Sequence, residues 1–175
     1  MGQGSRRRAR GRRDTGHYLT RVPLVLSLAL LCLPLSAVPI SPSLHAIILD
    51  IGASLGVPRS IADGLQIEES GDWHTGQWGD ASQVGPVGSD GARCLGLYQL
   101  NPHGLAELVE KFYPAPGKYF FVFNPVDNAR VALGYLAAKH KRYGSWERAL
   151  WYYNCGRVTD VPESTRDYAQ RIIER

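Results

Sequence analysis

The chain has 175 residues, 44% of them hydrophobic and 21% charged, and a formal net charge of +4 at pH 7. That length suits one domain able to bury its own core. The charge is lopsided. Arg6, Arg7, Arg8, Arg10, Arg12, Arg13 and Arg21 precede residue 38 with only Asp14 against them, and the remainder holds 13 basic and 15 acidic residues, a net of about −2. The basic character therefore belongs to the N-terminus, and the body lacks the basic stripe that nucleic-acid binding requires.

The arginines lead into an apolar run over 22–35, VPLVLSLALLCLPL, followed by Ser36-Ala37 as a small-residue cleavage site. Residues 1–37 thus read as a signal peptide, and the expected compartment is the periplasm or cell envelope. The run is short for a membrane span; left uncleaved, it would anchor the protein. Residues 38–42 read as a linker and 43–175 as the folded domain. Export leaves two cysteines, Cys94 and Cys155. An even pair in an oxidising compartment favours a disulfide, with two buried thiols as the alternative. The bridge would close a loop of roughly 60 residues.

Helical spacing recurs along the domain. Ser43 reads as an N-cap for Leu44, Ile47, Ile48, Ile51 and Leu55, with Gly56 as the stop. Pro58 opens a second helix, and Ser60 with Asp63 resembles a capping box. Residues 71–93 are rich in Gly and polar residues and have no helical period, which marks a functional or mobile insert. Its Trp73 and Trp78 suit either sugar stacking or core packing. The apolar stretch 94–100, CLGLYQL, fits a strand or a helical turn equally. A short helix is expected over 104–112, and the aromatic cluster at 119–123 is expected to pack under a loop. Pro125 opens a long helix over 126–142 that Gly144 ends. Ser145 caps the next helix, whose Trp146, Ala149, Leu150 and Tyr153 share a face. Ser164 with Asp167 marks the last one, with Thr165, Tyr168, Ala169, Ile172 and Ile173 on its apolar side. The expected fold is mainly α, helices around one irregular Gly-rich insert.

Chemistry concentrates at the end of the second helix, Glu68-Glu69-Ser70. At about 100° per residue Glu69 falls roughly 35° from the centre of the face formed by Ile61, Ala62 and Leu65, and Glu68 roughly 65° away on the other side. A carboxylate turned inward is desolvated, and its raised pKa lets it act as a general acid near neutrality. The alternative is a frayed helix end with two solvated acids. The sequence has no phosphate-binding Gly loop, no serine-hydrolase elbow and no ligand spacing among its histidines, so no metal or cofactor is expected.

Three segments in order, Glu69-Ser70, Gly96-Leu97-Tyr98-Gln99 and Tyr153-Asn154-Cys155-Gly156, resemble the successive motifs of soluble-type lytic transglycosylases, relatives of goose-type lysozyme. Asn124-Pro125 with Asn128, Gly134-Tyr135-Leu136 and Thr165-Arg166-Asp167-Tyr168 add to the resemblance, which spans 43–175. It implies a lysozyme-like α+β fold with a sugar-binding groove. It also implies cleavage of the bond between N-acetylmuramic acid and N-acetylglucosamine in peptidoglycan, giving 1,6-anhydromuramic ends. Glu69 would be the single acid and base, and Ser70, Tyr98, Gln99, Tyr153 and Asn154 would bind sugar or hold Glu69. The glycan strands would be the partner of an expected monomer, with a secretion or appendage apparatus as a candidate further partner. A lysozyme-type hydrolase and a catalytically silent glycan-binding module are the alternatives.

Four departures stand out. Tyr98 replaces the family's usual Met, Cys155 replaces a small residue, Ser164 replaces Glu, and the segment before Gly96 is longer by about ten residues than the resemblance leads one to expect. Because the motifs carrying Cys94 and Cys155 should converge, the pair is expected to form a disulfide bracing the groove.

Overall fold

The computed structural model describes residues 39–113 and 119–175. The leader read over 1–37 lies outside the described residues. The order is α1 (Pro42–Ser54), α2 (Arg59–Ser70), β1 (Val84–Val87), β2 (Arg93–Leu95), a 3₁₀ turn (Pro102–Gly104), α3 (Leu105–Phe112), α4 (Pro125–Tyr143), α5 (Trp146–Cys155) and α6 (Glu163–Ile173). The fold is mainly helical, as the spacing predicts. No helix among the described residues is long and apolar enough to cross a membrane.

α4 is the spine. Asn124 caps it by accepting the N–H groups of Val126 and Asp127, and Gly144 ends it in the left-handed conformation. Ala129, Val131, Ala132, Leu133 and Leu136 are fully buried. They meet α1 on one side and α5 on the other. α2 is covered on two sides, because Ile61, Ala62 and Leu65 face the core while Ile67 is buried on the opposite side. Gly64 permits α6 to approach closely: a Cβ there would lie 3.1 Å from the Ile172 carbonyl oxygen.

Several helix starts differ from expectation. α1 is capped by Ser41, whose Oγ accepts the Leu44 N–H at 3.3 Å, and Pro42 occupies the first turn, where its missing N–H costs nothing. The Ser60–Asp63 box does not form, because Asp63 pairs with Arg175 at 3.2 Å and His45 at 3.2 Å. α6 begins at Glu163 after Pro162 without a side-chain cap, so the Ser164–Asp167 box is also absent.

The insert contains a strand that hydrophobic alternation could not reveal. β1 is VGPV, with both valines exposed and Gly and Pro between them. It pairs antiparallel with β2, Val84 opposite Leu95 and Val87 opposite Arg93, with an irregularity between. β2 runs into a tight turn closed by reciprocal hydrogen bonds, Leu95 N–H to Leu100 O at 3.0 Å and Leu100 N–H to Leu95 O at 2.9 Å. The stretch 94–100 is thus strand and turn rather than helix. In the aromatic cluster, Phe120 packs edge-on against Tyr113 at 5.6 Å. Tyr119 and Phe121 are 99% and 61% exposed, so the expected burial of the whole cluster does not occur.

The turn at 96–99 is held by one buried amide. Asn128 accepts the Tyr98 N–H at 2.8 Å and donates to the carbonyls of Leu95 at 3.1 Å and Val122 at 2.9 Å. Gly96 has φ 77°, and a Cβ there would sit 2.4 Å from Asn128 Nδ2. Both the backbone conformation and the space require glycine. Truncating Asn128→Ala strands the Tyr98 N–H and takes the amide donor from the Val122 carbonyl, while the Leu95 carbonyl keeps the Leu100 N–H. Denaturant unfolding should show a loss of about 2–4 kcal/mol, and a loss below about 1 kcal/mol would contradict this role for the amide.

Candidate active site

Glu69 occupies the last turn of α2, with its side chain on a groove of about 890 Å³. The β1–β2 hairpin supplies one wall through Pro86, Asp90 and Cys94, and the end of α5 supplies the other through Tyr152, Tyr153, Asn154 and Cys155. Gln99 and Tyr135 also line it.

The two adjacent acids have separate partners, both from α6. Glu68 makes a two-point ion pair with Arg171, whose Nε donates to Oε2 at 3.1 Å while a terminal nitrogen donates to Oε1. This neutralises a side chain only 11% exposed. Glu69 Oε1 accepts a hydrogen bond from the buried Tyr168 hydroxyl. Burial pushes the Glu69 pKa up to about 7; the Tyr168 bond pulls against this and the neighbouring Glu68 charge adds to it. Near neutrality Glu69 therefore populates both forms, as a group that first gives and then takes a proton must.

A relay of hydroxyls and carbonyls fixes the walls. Ser70 Oγ donates to Leu97 O at 2.6 Å, tying the end of α2 to the turn. Tyr153 donates to Tyr98 O at 2.7 Å, and the Tyr98 hydroxyl donates to Ala62 O at 3.1 Å. Burial holds both phenols well above their usual pKa, so they act as neutral donors. Gln99 has φ 47°, and its Nε2 donates to Gly96 O at 2.8 Å and Gln83 O at 3.3 Å. Asn154 accepts from the buried Thr165 hydroxyl at 2.7 Å.

Of the residues expected at the site, Glu69, Gln99, Tyr153 and Asn154 line the groove. Two do not. Tyr98 is fully buried with its ring in the core, so it does not form the groove wall. Ser70 is consumed by its bond to Leu97 O and faces a different recess. The expected disulfide is also corrected. Cys94 and Cys155 both line the groove, yet both are free thiols. The Cys155 sulfur is directed to Arg157 O at 3.7 Å, a local contact within its own helix end. The tryptophans lie elsewhere: Trp78 stacks on His45 at 4.0 Å, and Trp73 lies under Arg171 and Arg175, each at 5.7 Å.

Tyr168 and Arg171 were not among the expected site groups. Tyr168 sits on the apolar stripe of α6, where it reads as core; its signal was that a buried phenol needs a hydrogen-bond partner. Asp90 was missed too. It lines the groove, fixed by the Asn101 amide at 2.7 Å, whereas Asp72 and Asp80 bond within their own turns. Among the described residues no three His, Cys, Asp or Glu side chains are grouped as a metal would need.

Comparison with known proteins adds to this geometry. Residues 79–174 match the family model described as the transglycosylase SLT domain. The chain belongs to that family. The matched stretch carries Gln99, Tyr153, Asn154 and Tyr168; Glu69 lies ahead of it, and its assignment rests on the groove. A solved structure, the X-ray structure of an inactive Glu-to-Gln mutant of lytic transglycosylase Slt from Pseudomonas aeruginosa, aligns with a TM-score of 0.53 and 22% identity. The alignment covers 74% of this chain and 22% of that one, and it shows a shared fold. No match was found among curated proteins.

The protonation of Glu69 has a thermodynamic consequence. Folded, it holds its proton up to about pH 7 against a usual value of 4.5. The folded state therefore binds the extra proton, and stability falls as pH rises between those values. Glu69→Gln removes this penalty. Thermal unfolding should show no change at pH 4 and a gain of about 1–3 kcal/mol at pH 8. Equal effects at both pH values would exclude a buried, proton-holding Glu69.

Proposed function

We propose that the protein is an exported lytic transglycosylase that cleaves the β-1,4 bond between N-acetylmuramic acid and N-acetylglucosamine in peptidoglycan and leaves 1,6-anhydro ends. The observation that carries this reading is a single carboxylate, Glu69, poised near neutrality on a groove and oriented by Tyr168. Family membership and the shared fold with a lytic transglycosylase support it. Export rests on the signal-peptide pattern of residues 1–37.

In this mechanism protonated Glu69 gives its proton to the glycosidic oxygen as the bond to C1 breaks. The substrate's acetamido group stabilises the positive charge at C1. The C6 hydroxyl then attacks C1, and the Glu69 carboxylate takes the hydroxyl proton. One new C–O bond replaces the one lost, no water is consumed, and Glu69 returns to its starting state. One group serves twice, so the paired carboxylates of ordinary glycosidases are unnecessary. Gln99, Tyr153 and Asn154 position the sugars. The neutral phenol of Tyr168 holds the carboxylate orientation and lowers its proton affinity.

Asp90 favours a second reading, a lysozyme-type hydrolase. It is the insert's groove-lining acid, and a water activated there would yield reducing ends. Digestion of purified peptidoglycan followed by mass spectrometry separates the readings. Anhydro-muropeptides are expected; reducing ends would replace the proposal with hydrolysis, and no release would leave a glycan-binding module. Glu69→Gln should lower the rate by about 10²–10⁴-fold. The rate should fall as pH rises through about 7, where the acid form is lost. Tyr168→Phe removes a bond that lowers the Glu69 pKa, so it should move that limb to higher pH. A limb that stays put would exclude contact between the two groups.

A further inference from the structure

The groove continues past the catalytic carboxylate. Beyond Tyr135 and Tyr152 it opens into a recess of about 420 Å³, and from there into a smaller cavity of about 150 Å³ between α3 and α4. Tyr135 lines all three spaces. The far cavity is bounded by Lys111, Lys139 and Arg142, with Glu107 as its one acid.

These cations are free to bind an anion. Among the described residues none of the three has an ion-pair partner; the ion pairs there are made by His45, Arg59, Arg171 and Arg175. Each instead lies by an aromatic face. Lys139 Nζ is 3.8 Å from the Tyr152 ring centre and 4.7 Å from that of Tyr135, Lys111 is 5.6 Å from Phe112, and Arg142 is 5.3 Å from Tyr143. Cation–π contacts hold the charges in place without neutralising them. The other end of the groove carries Glu69 and Asp90. The groove is therefore polarised, carboxylates at the hairpin end and three cations against the single Glu107 at the α3–α4 end, in a body that is slightly acidic as a whole. An uncharged sugar chain gives no reason for three unpaired cations to converge at its exit. Carboxylates attached to that chain do.

We propose that the α3–α4 end of the groove binds the carboxylates of the peptides borne by the glycan strand, so that the protein reads an anionic peptide substituent together with the sugars. The inference rests on the peptidoglycan reading above and names the part of that polymer the far cavity takes. The attraction is electrostatic and part-exposed, so it weakens as salt rises past about 0.15 M.

The test uses the full protein carrying Glu69→Gln, so that ligand survives, and two probes: soluble peptide-bearing glycan chains and the same chains with their peptide carboxylates converted to amides. Chains with free peptide carboxylates should bind about fivefold tighter at low salt. The double variant Lys111→Gln and Arg142→Gln, at two exposed positions, should abolish that ratio, and Lys111→Arg with Arg142→Lys should keep it. Turnover of both probes is followed in parallel with Glu69 intact. Equal affinities with both chains cleaved would overturn the inference and leave the function standing. A ratio undiminished in the neutral double variant would move the peptide site elsewhere. Failure to bind or cleave either chain would overturn both readings.

Discussion

The site depends on the side-chain amide of Asn128. It is buried, all its hydrogen-bonding groups are used, and its partners are backbone atoms, of which the Tyr98 N–H and the Val122 carbonyl have no other hydrogen bond among the described residues. A turn as tight as 96–99 leaves inward-pointing N–H and C=O groups, and burying them unpaired would cost several kcal/mol. Because Asn128 satisfies them, the turn can sit under the groove with its remaining carbonyls available. Those carbonyls then organise the site: Leu97 O takes Ser70 from α2, and Tyr98 O takes Tyr153 from α5. The helix that carries Glu69 and the opposite wall are tied to one short piece of backbone. That arrangement fixes their separation without a covalent bridge, and two free cysteines can therefore line the same groove.

The separate fates of Glu68 and Glu69 follow from α6 rather than from α2. Tyr168 and Arg171 are three residues apart and so lie on one face of α6, opposite the two acids. The cation meets Glu68 and the neutral hydroxyl meets Glu69. An arginine at both positions would ionise both acids; two phenols would leave Glu68 uncompensated and raise Glu69 further. The close approach that makes this possible is permitted by Gly64 on α2, which lets the backbone of α6 come within van der Waals contact.

The helices were legible because their apolar spacing and their Pro, Ser and Gly punctuation are local signals. Caps were less so. Asp63 reads as a capping partner of Ser60, yet a long-range partner at Arg175 took it. The strand β1 was illegible because its valines face solvent and the hairpin is held by backbone bonds. In the site, Glu69, Gln99, Tyr153 and Asn154 were legible as ordered motifs. Tyr98 and Ser70 belong to the same motifs but face away from the groove, Tyr98 into the core and Ser70 into a separate recess, a distinction that sequence order does not carry. Tyr168 was hidden in plain periodicity, since a phenol on an apolar stripe looks like packing until its hydroxyl partner is known.

α4 joins these observations. Asn128, Tyr135, Lys139 and Arg142 are separated by seven, four and three residues, which places all four within roughly 40° of one helical face at 100° per residue. The face changes character along its length. At the N-terminal end it holds the turn beneath the Glu69 groove, in the middle Tyr135 lines that groove, and at the C-terminal end it presents the unpaired cations. A straight helix rises 1.5 Å per residue, so the fourteen steps from Asn128 to Arg142 span about 21 Å. That is the length of several sugar rings. The same rigid element that sets the geometry of the 96–99 turn thus sets the distance from it to the cationic end. A ligand long enough to reach both is measured against one helix, with no hinge between the two ends.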